Sequence, residues 1–265
     1  MSALLFEKSG PVVTLTINRP ESRNPLGEEG DGDLFAEACA RINADRGVRC
    51  AILTGAGPAF SAGGNVKAMR ERAGAFAGAG VHIRERYRNG IHRIVRAIWG
   101  IEVPLIAAVN GPAIGLGNDV ACLADMRFAA ENAIFGATFL KIGLVPGDGG
   151  SWILPRVIGY ARAAELVFTA DTIDAPTALD WGLVSKVVPA ASLMEEVRAL
   201  AAHICRQPPD VLRMTKRLMR EGQTVSFDTI MEMSAAYQSL AHLTEDHHEA
   251  VSAFFEKRPP DYKGR

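Results

Sequence analysis

Two short glycine-rich turns and two aspartates carry most of the chemistry this chain can offer. Ala62-Gly63-Gly64-Asn65 follows the apolar run at 51–54, and Gly115-Leu116-Gly117-Asn118-Asp119 follows the apolar run at 105–109. Each opens onto a segment of helical character. The start of a helix exposes unsatisfied N–H groups and about half a positive charge, so it can hold negative charge developing on a carbonyl oxygen. Glycine lets a backbone approach a ligand there, although glycines also punctuate purely structural corners. Asp119, in the second turn, and Asp148, in Pro146-Gly147-Asp148-Gly149-Gly150, can carry a proton or simply cap a helix.

Other chemistries find little support. No G-x-G-x-x-G stands in a first strand–helix unit with an acid about 20 residues on, and no G-x-x-x-x-G-K-[ST] is present, which argues against dinucleotide redox chemistry and nucleotide hydrolysis. Cys39, Cys50, Cys122 and Cys205 lie far apart, so they are expected to be reduced, buried thiols. His247 and His248 are adjacent and cannot share a helix face, and no metal is assigned. Lys plus Arg (29) nearly cancels Asp plus Glu (30), so an anionic ligand must be met locally. The basic run at 213–220 reads as an amphipathic helix, and nucleic acid is not an expected partner.

The elements that must position these residues follow from hydrophobic periodicity. Val13, Leu15 and Ile17 share one face of a strand at 12–18, followed by a loop at 26–33, a helix over 34–44 and a strand at 49–54. The Gly/Ala-rich stretch 73–80 reads as a mobile flap, since glycine costs a helix about 1 kcal/mol. A helix over 81–99 and a buried strand at 105–109 come next. A second unit runs through 110–124 into strands at 125–130 and 133–135, a loop at 143–150 and a helix from Ser151. Helix and strand return over 175–188. Beyond Ala190 the pattern is helical, with helices at 215–220, 226–243 and 244–255. The expected organisation is an α/β core over 1–190 and a helical region over 191–265. At 48% hydrophobic and 22% charged, the chain should fold without staples. Charge arrives early at the N-terminus and no stretch of about 20 apolar residues exists, so a soluble, cytoplasmic protein without a membrane partner is expected.

The sequence as a whole resembles the enoyl-CoA hydratase/isomerase (crotonase) family. The resemblance rests on Val13-Thr14-Leu15-Thr16-Ile17-Asn18-Arg19-Pro20-Glu21, Ala59-Phe60-Ser61-Ala62-Gly63-Gly64 and Ala108-Val109-Asn110-Gly111-Pro112-Ala113-Ile114-Gly115. It continues through Gly143-Leu144-Val145-Pro146-Gly147-Asp148-Gly149-Gly150, Ala178-Leu179-Asp180-Trp181-Gly182-Leu183-Val184 and Ala253-Phe254-Phe255-Glu256-Lys257-Arg258. It implies an α/β spiral of repeated ββα units with a C-terminal helical region that serves oligomerisation and part of the coenzyme site. It also implies a homotrimer or hexamer, an acyl-CoA substrate and no cofactor, coenzyme A entering as part of the thioester.

By that resemblance the oxyanion amides come from Gly64 and Leu116, the latter where many relatives carry glycine. The Ala62 carbonyl matches the adenine-binding group, and Arg23, Phe254 and Lys257 match positions that contact the coenzyme nucleotide. Two glutamates hold the water in a hydratase of this family. Here Asp119 stands at the first position and Phe139 at the second, where a phenyl ring can only wall the acyl pocket. Asp148 lies one residue after a position at which some isomerase relatives carry an aspartate. The expected reaction is therefore proton transfer on an enoyl-CoA, by Asp119 with help from Asp148. The alternatives are thioester hydrolysis or decarboxylation, or a non-catalytic acyl-CoA or RNA binder.

Overall fold

The computed structural model describes residues 2–265. In chain order it contains β1 (Leu4–Ser9), β2 (Val12–Ile17), α1 (Asp31–Ala44), β3 (Cys50–Gly55), α2 (Val66–Glu71), α3 (Gly80–Asn89), α4 (Ile91–Trp99), β4 (Leu105–Val109), β5 (Ala113–Ile114) and α5 (Leu116–Cys122). Then come β6 (Met126–Ala130), β7 (Ile134–Gly136), α6 (Gly150–Ile158), α7 (Tyr160–Thr169), β8 (Ile173–Asp174), α8 (Ala175–Asp180), β9 (Lys186–Val188), α9 (Leu193–Ile204), α10 (Pro209–Glu221), α11 (Phe227–His242) and α12 (Glu245–Glu256).

A six-stranded sheet runs in the order β1-β2-β3-β4-β6-β9, parallel except for β1, and a small sheet runs β5-β7-β8. Single bridges from Ser61 to Ala113 and from Pro25 to Gly63 extend the small sheet backwards along the chain. Each turn of the chain thus lays one strand in the large sheet, one short strand or bridge in the small sheet, and then a helix. β3 and β4 are buried at every residue, as parallel strands covered on both faces must be. Alternate residues of β3 face two different layers. Ala51 and Leu53 join the main core, while Cys50 and Ile52 pack beneath Leu193, Val197 and Ala201 of α9. All four cysteines are free and buried, and burial pushes the Cys39, Cys50 and Cys122 thiols up to about 12.

The structure departs from the sequence reading at β1 and in the helix before β4. β1 is an edge strand whose second half is exposed, so it lacks the alternation that would announce it. The helix expected over 81–99 is two helices, broken at Gly90 with φ −104° and ψ −89°. The basic run forms α10, an amphipathic helix as expected, with Arg217 exposed and Arg213, Lys216 and Arg220 on one face turned inward. Arg213 bonds the Asn43 and Asp45 carbonyls at 3.3 and 3.2 Å, Lys216 bonds the Val103 carbonyl at 2.7 Å, and Arg220 bonds the Leu123 carbonyl at 3.2 Å. Lys216 and Arg220 also share Asp125 at 2.7 and 3.0 Å. These cations satisfy loop carbonyls that would otherwise be stranded under the helix. No helix among the described residues is long and apolar enough to cross a membrane.

Candidate active site

Because β3 and β4 are parallel neighbours, the turns that follow them leave the same end of the sheet, where α/β folds place ligands. Hydrogen bonds then tie the two turns together. The Ile114 N–H donates to the Ser61 carbonyl at 3.0 Å, the Ser61 N–H donates to the Pro112 carbonyl at 3.1 Å, and the Ser61 hydroxyl accepts from the Gly63 N–H at 3.1 Å. From the other side the Ala62 N–H donates to the Arg23 carbonyl at 2.8 Å and the Leu26 N–H to the Gly63 carbonyl at 2.9 Å. Buried Asn24 donates to the Ala56 and Ala59 carbonyls at 2.8 and 2.7 Å, closing the base of the first turn.

The glycines here are required by close approach. Gly63 has φ 87°, and a Cβ on it would stand 3.4 Å from the Leu116 nitrogen. A Cβ on Gly117 would overlap the Ser61 carbonyl oxygen. The Gly64 and Leu116 N–H groups have no acceptor among the described residues. Leu116 is also 1% exposed, so its side chain is part of the core as well as of the site. Truncating it therefore carries a packing cost even though its amide would remain.

Both turns border a narrow cavity of about 60 Å³ that is also lined by Met69, Tyr87, Phe139 and Asp148. The Phe139 ring stands 3.8 Å from the point where a Cβ of Gly115 would lie and forms part of the cavity wall. A larger cavity of about 520 Å³ lies under α10, between residues such as Trp99, Met126 and Lys216, and contains neither glycine turn. Size alone does not locate the chemistry. Of these two cavities, only the smaller is lined by Gly64 and Leu116, together with the Asp148 carboxylate.

The two aspartates occupy different shells. Asp148 lines the cavity and is 4% exposed. Asp119, 1% exposed, sits behind the wall with its carboxylate pressed against Gly150, so the structure does not bring it to the cavity surface. Burial pushes Asp148 up to about 6. Burial, with the Asp148 charge nearby, pushes Asp119 up to about 8, against smaller opposing pulls from the Asn118 amide and the Gly150 N–H. One oxygen each of Asn118, Asp119 and Asp148 is buried without a hydrogen-bond partner among the described residues. A pair of neighbouring carboxyls in this state retains a proton near neutral pH.

The coenzyme positions are brought together only in part. Ala62 lines the cavity, and exposed Arg23 lies beside it through their shared backbone bond. Phe254, 79% exposed on α12, and Lys257, its left-handed C-cap at φ 56°, do not line this cavity. Met69 and Tyr87 went unseen in the sequence, because only helical spacing marks them. The flap region holds one 3₁₀ turn, Gly74–Phe76, and the Arg86 guanidinium donates to the Ala75 and Ala77 carbonyls.

The enoyl-CoA hydratase/isomerase family model matches residues 7–265. The chain is 36% identical over 266 residues to 1,2-epoxyphenylacetyl-CoA isomerase of Escherichia coli, with 100% of both covered. It is 35% identical to crotonyl-CoA hydratase of Syntrophomonas wolfei, with 98% of this chain and 97% of that one covered. The crystal structure of enoyl-CoA hydratase from Bacillus anthracis matches it with a TM-score of 0.91 at 34% identity, covering 100% of each chain. The strand–strand–helix spiral is thus the crotonase fold. With sequence and fold matching along nearly their whole length, the chain belongs to the enoyl-CoA hydratase/isomerase family of enzymes.

Proposed function

We propose that this enzyme moves a double bond within an enoyl-CoA, with Asp148 as the proton carrier and the Gly64 and Leu116 amides as the oxyanion donors. The observation that carries the reading is that Asp148 is the only carboxylate lining the cavity among the described residues. The carboxylate removes a proton from the carbon beside the thioester carbonyl, and the electron pair moves onto the carbonyl oxygen, held by two N–H groups. The carbonyl then re-forms as the C3–C4 double bond takes up the returning proton at C4, leaving a C2–C3 double bond. One carboxyl suffices because it ends as it began.

Asp119, one layer back, supports Asp148 by keeping the pair's charge low. Phe139 stands where a hydratase would place a second carboxylate, which removes one partner for a positioned water. Large apolar side chains exposed on α11 and α12, among them Phe227, Leu240, Phe254 and Phe255, support a homo-oligomer. A second copy would then bring Phe254 and Lys257 to the coenzyme. The test is to compare a 3-enoyl-CoA with crotonyl-CoA as substrates of the unaltered enzyme. Isomerisation of the first is expected to exceed hydration of the second, and faster hydration would refute the reading.

A further inference from the structure

Helix α4 grips the loop that carries Asp148. Half-buried His92 places Nε2 2.8 Å from the Gly147 carbonyl. A carbonyl oxygen only accepts, so Nε2 carries the proton and donates it. On the same face of α4, Val95 Cγ1 lies 3.5 Å from where a Cβ of Gly149 would stand, and from α3 the Tyr87 ring lies 3.7 Å from the corresponding point at Gly147. The Tyr87 and His92 rings meet edge to face at 6.0 Å. These three side chains bracket Asp148 on both sides.

The Asp148 carboxylate itself makes no hydrogen bond to protein among the described residues, and its Oδ1 is buried and unpaired. Its direction is therefore set by the backbone that bears it. Gly147 and Gly149 leave that backbone intrinsically free, Gly149 lying at φ 97°. Among the described residues, the His92 bond is the only one from a side chain to the backbone between Val145 and Gly149.

We propose that His92 is a positioning residue, which fixes the peptide preceding Asp148 through its Nε2–H bond to the Gly147 carbonyl and so aims the carboxylate into the cavity. The proposal rests on Asp148 being the proton carrier. A misplaced carboxylate would still bind substrate beside it but would reach the proton less often.

His92→Leu keeps bulk and loses the donor; it is expected to lower isomerase kcat by about 10- to 100-fold while KM stays within about two-fold. His92→Gln, whose amide nitrogen reaches about as far as Nε2, is expected to restore most of the loss. If the leucine variant does not fold, His92→Asn takes its place, since its shorter amide falls short of the carbonyl. Full turnover in the donor-less variant would overturn the proposal. So would a glutamine variant that is as impaired as leucine and melts as early, because that describes packing alone. Asp148→Asn in the same series separates the two ideas. If Asp148→Asn is inactive while His92→Leu is unimpaired, only the role of His92 falls. If Asp148→Asn keeps full turnover, the reading of Asp148 falls and this proposal with it.

Discussion

Asp148→Asn is expected to lower isomerase turnover by about 10²- to 10⁴-fold, the range typical of a lost general base, with little change in acyl-CoA affinity. The amide keeps the shape of the carboxyl and cannot take the proton. The pH dependence has a definite sign. Burial holds Asp148 up at about 6, and a base works only when ionised, so kcat/KM should rise with pH and level off above about 6. Asp119→Asn should leave most of the turnover in place. Asp119, held up at about 8, is already uncharged while Asp148 titrates, so the acid limb should stay near 6. Inactive Asp119→Asn beside active Asp148→Asn would show the two roles to be reversed.

Stability should change in the opposite sense. Both carboxyls bind protons more tightly when folded than when unfolded, so the stability they contribute is complete below about pH 4. It is lost as pH rises through about 6 for Asp148 and about 8 for Asp119. Either asparagine variant should therefore melt later than the unaltered enzyme in mildly alkaline buffer. A site that costs stability where it works best is expected of a buried base.

Gly64→Pro is expected to lower turnover by about 10²- to 10³-fold by deleting one oxyanion donor. The control is Gly64→Ala, which keeps the N–H and presses only on the flexible end of Met69, whose Cε lies 2.8 Å from the added Cβ. Alanine should retain most of the activity. Equal losses in both would assign the effect to the crowded turn and not to the donor. Gly63 would be a poor choice for this experiment, because its φ of 87° strains any side chain.

Much of this site was legible in the residues. The strands before each glycine turn announced themselves by apolar runs, and the turns by their glycines. Their meeting was not legible, because it depends on β3 and β4 being parallel neighbours and on Ser61 packing against Gly117. The order of Asp119 and Asp148 around the cavity was equally hidden. Both are aspartates beside glycines, and only the position of Gly150 shows which one is covered. β1 escaped because an edge strand needs no alternation, and the inward turn of the α10 cations was hidden because they bond carbonyls distant in sequence. His92 carried no signal at all: one histidine on an amphipathic helix looks like any other until the Gly147 carbonyl is beside it.

The most direct test of a single carboxyl passing a proton from one carbon to another is to follow that proton. A 3-enoyl-CoA deuterated twice at C2 can be isomerised in ordinary water and its product weighed by mass spectrometry at low conversion. A buried carboxyl that returns what it removed leaves a substantial share of product with both deuterons, one at C2 and one at C4. Product carrying only the C2 deuteron from the first turnovers would mean that the proton at C4 comes from water or from a second acid, and would contradict the account.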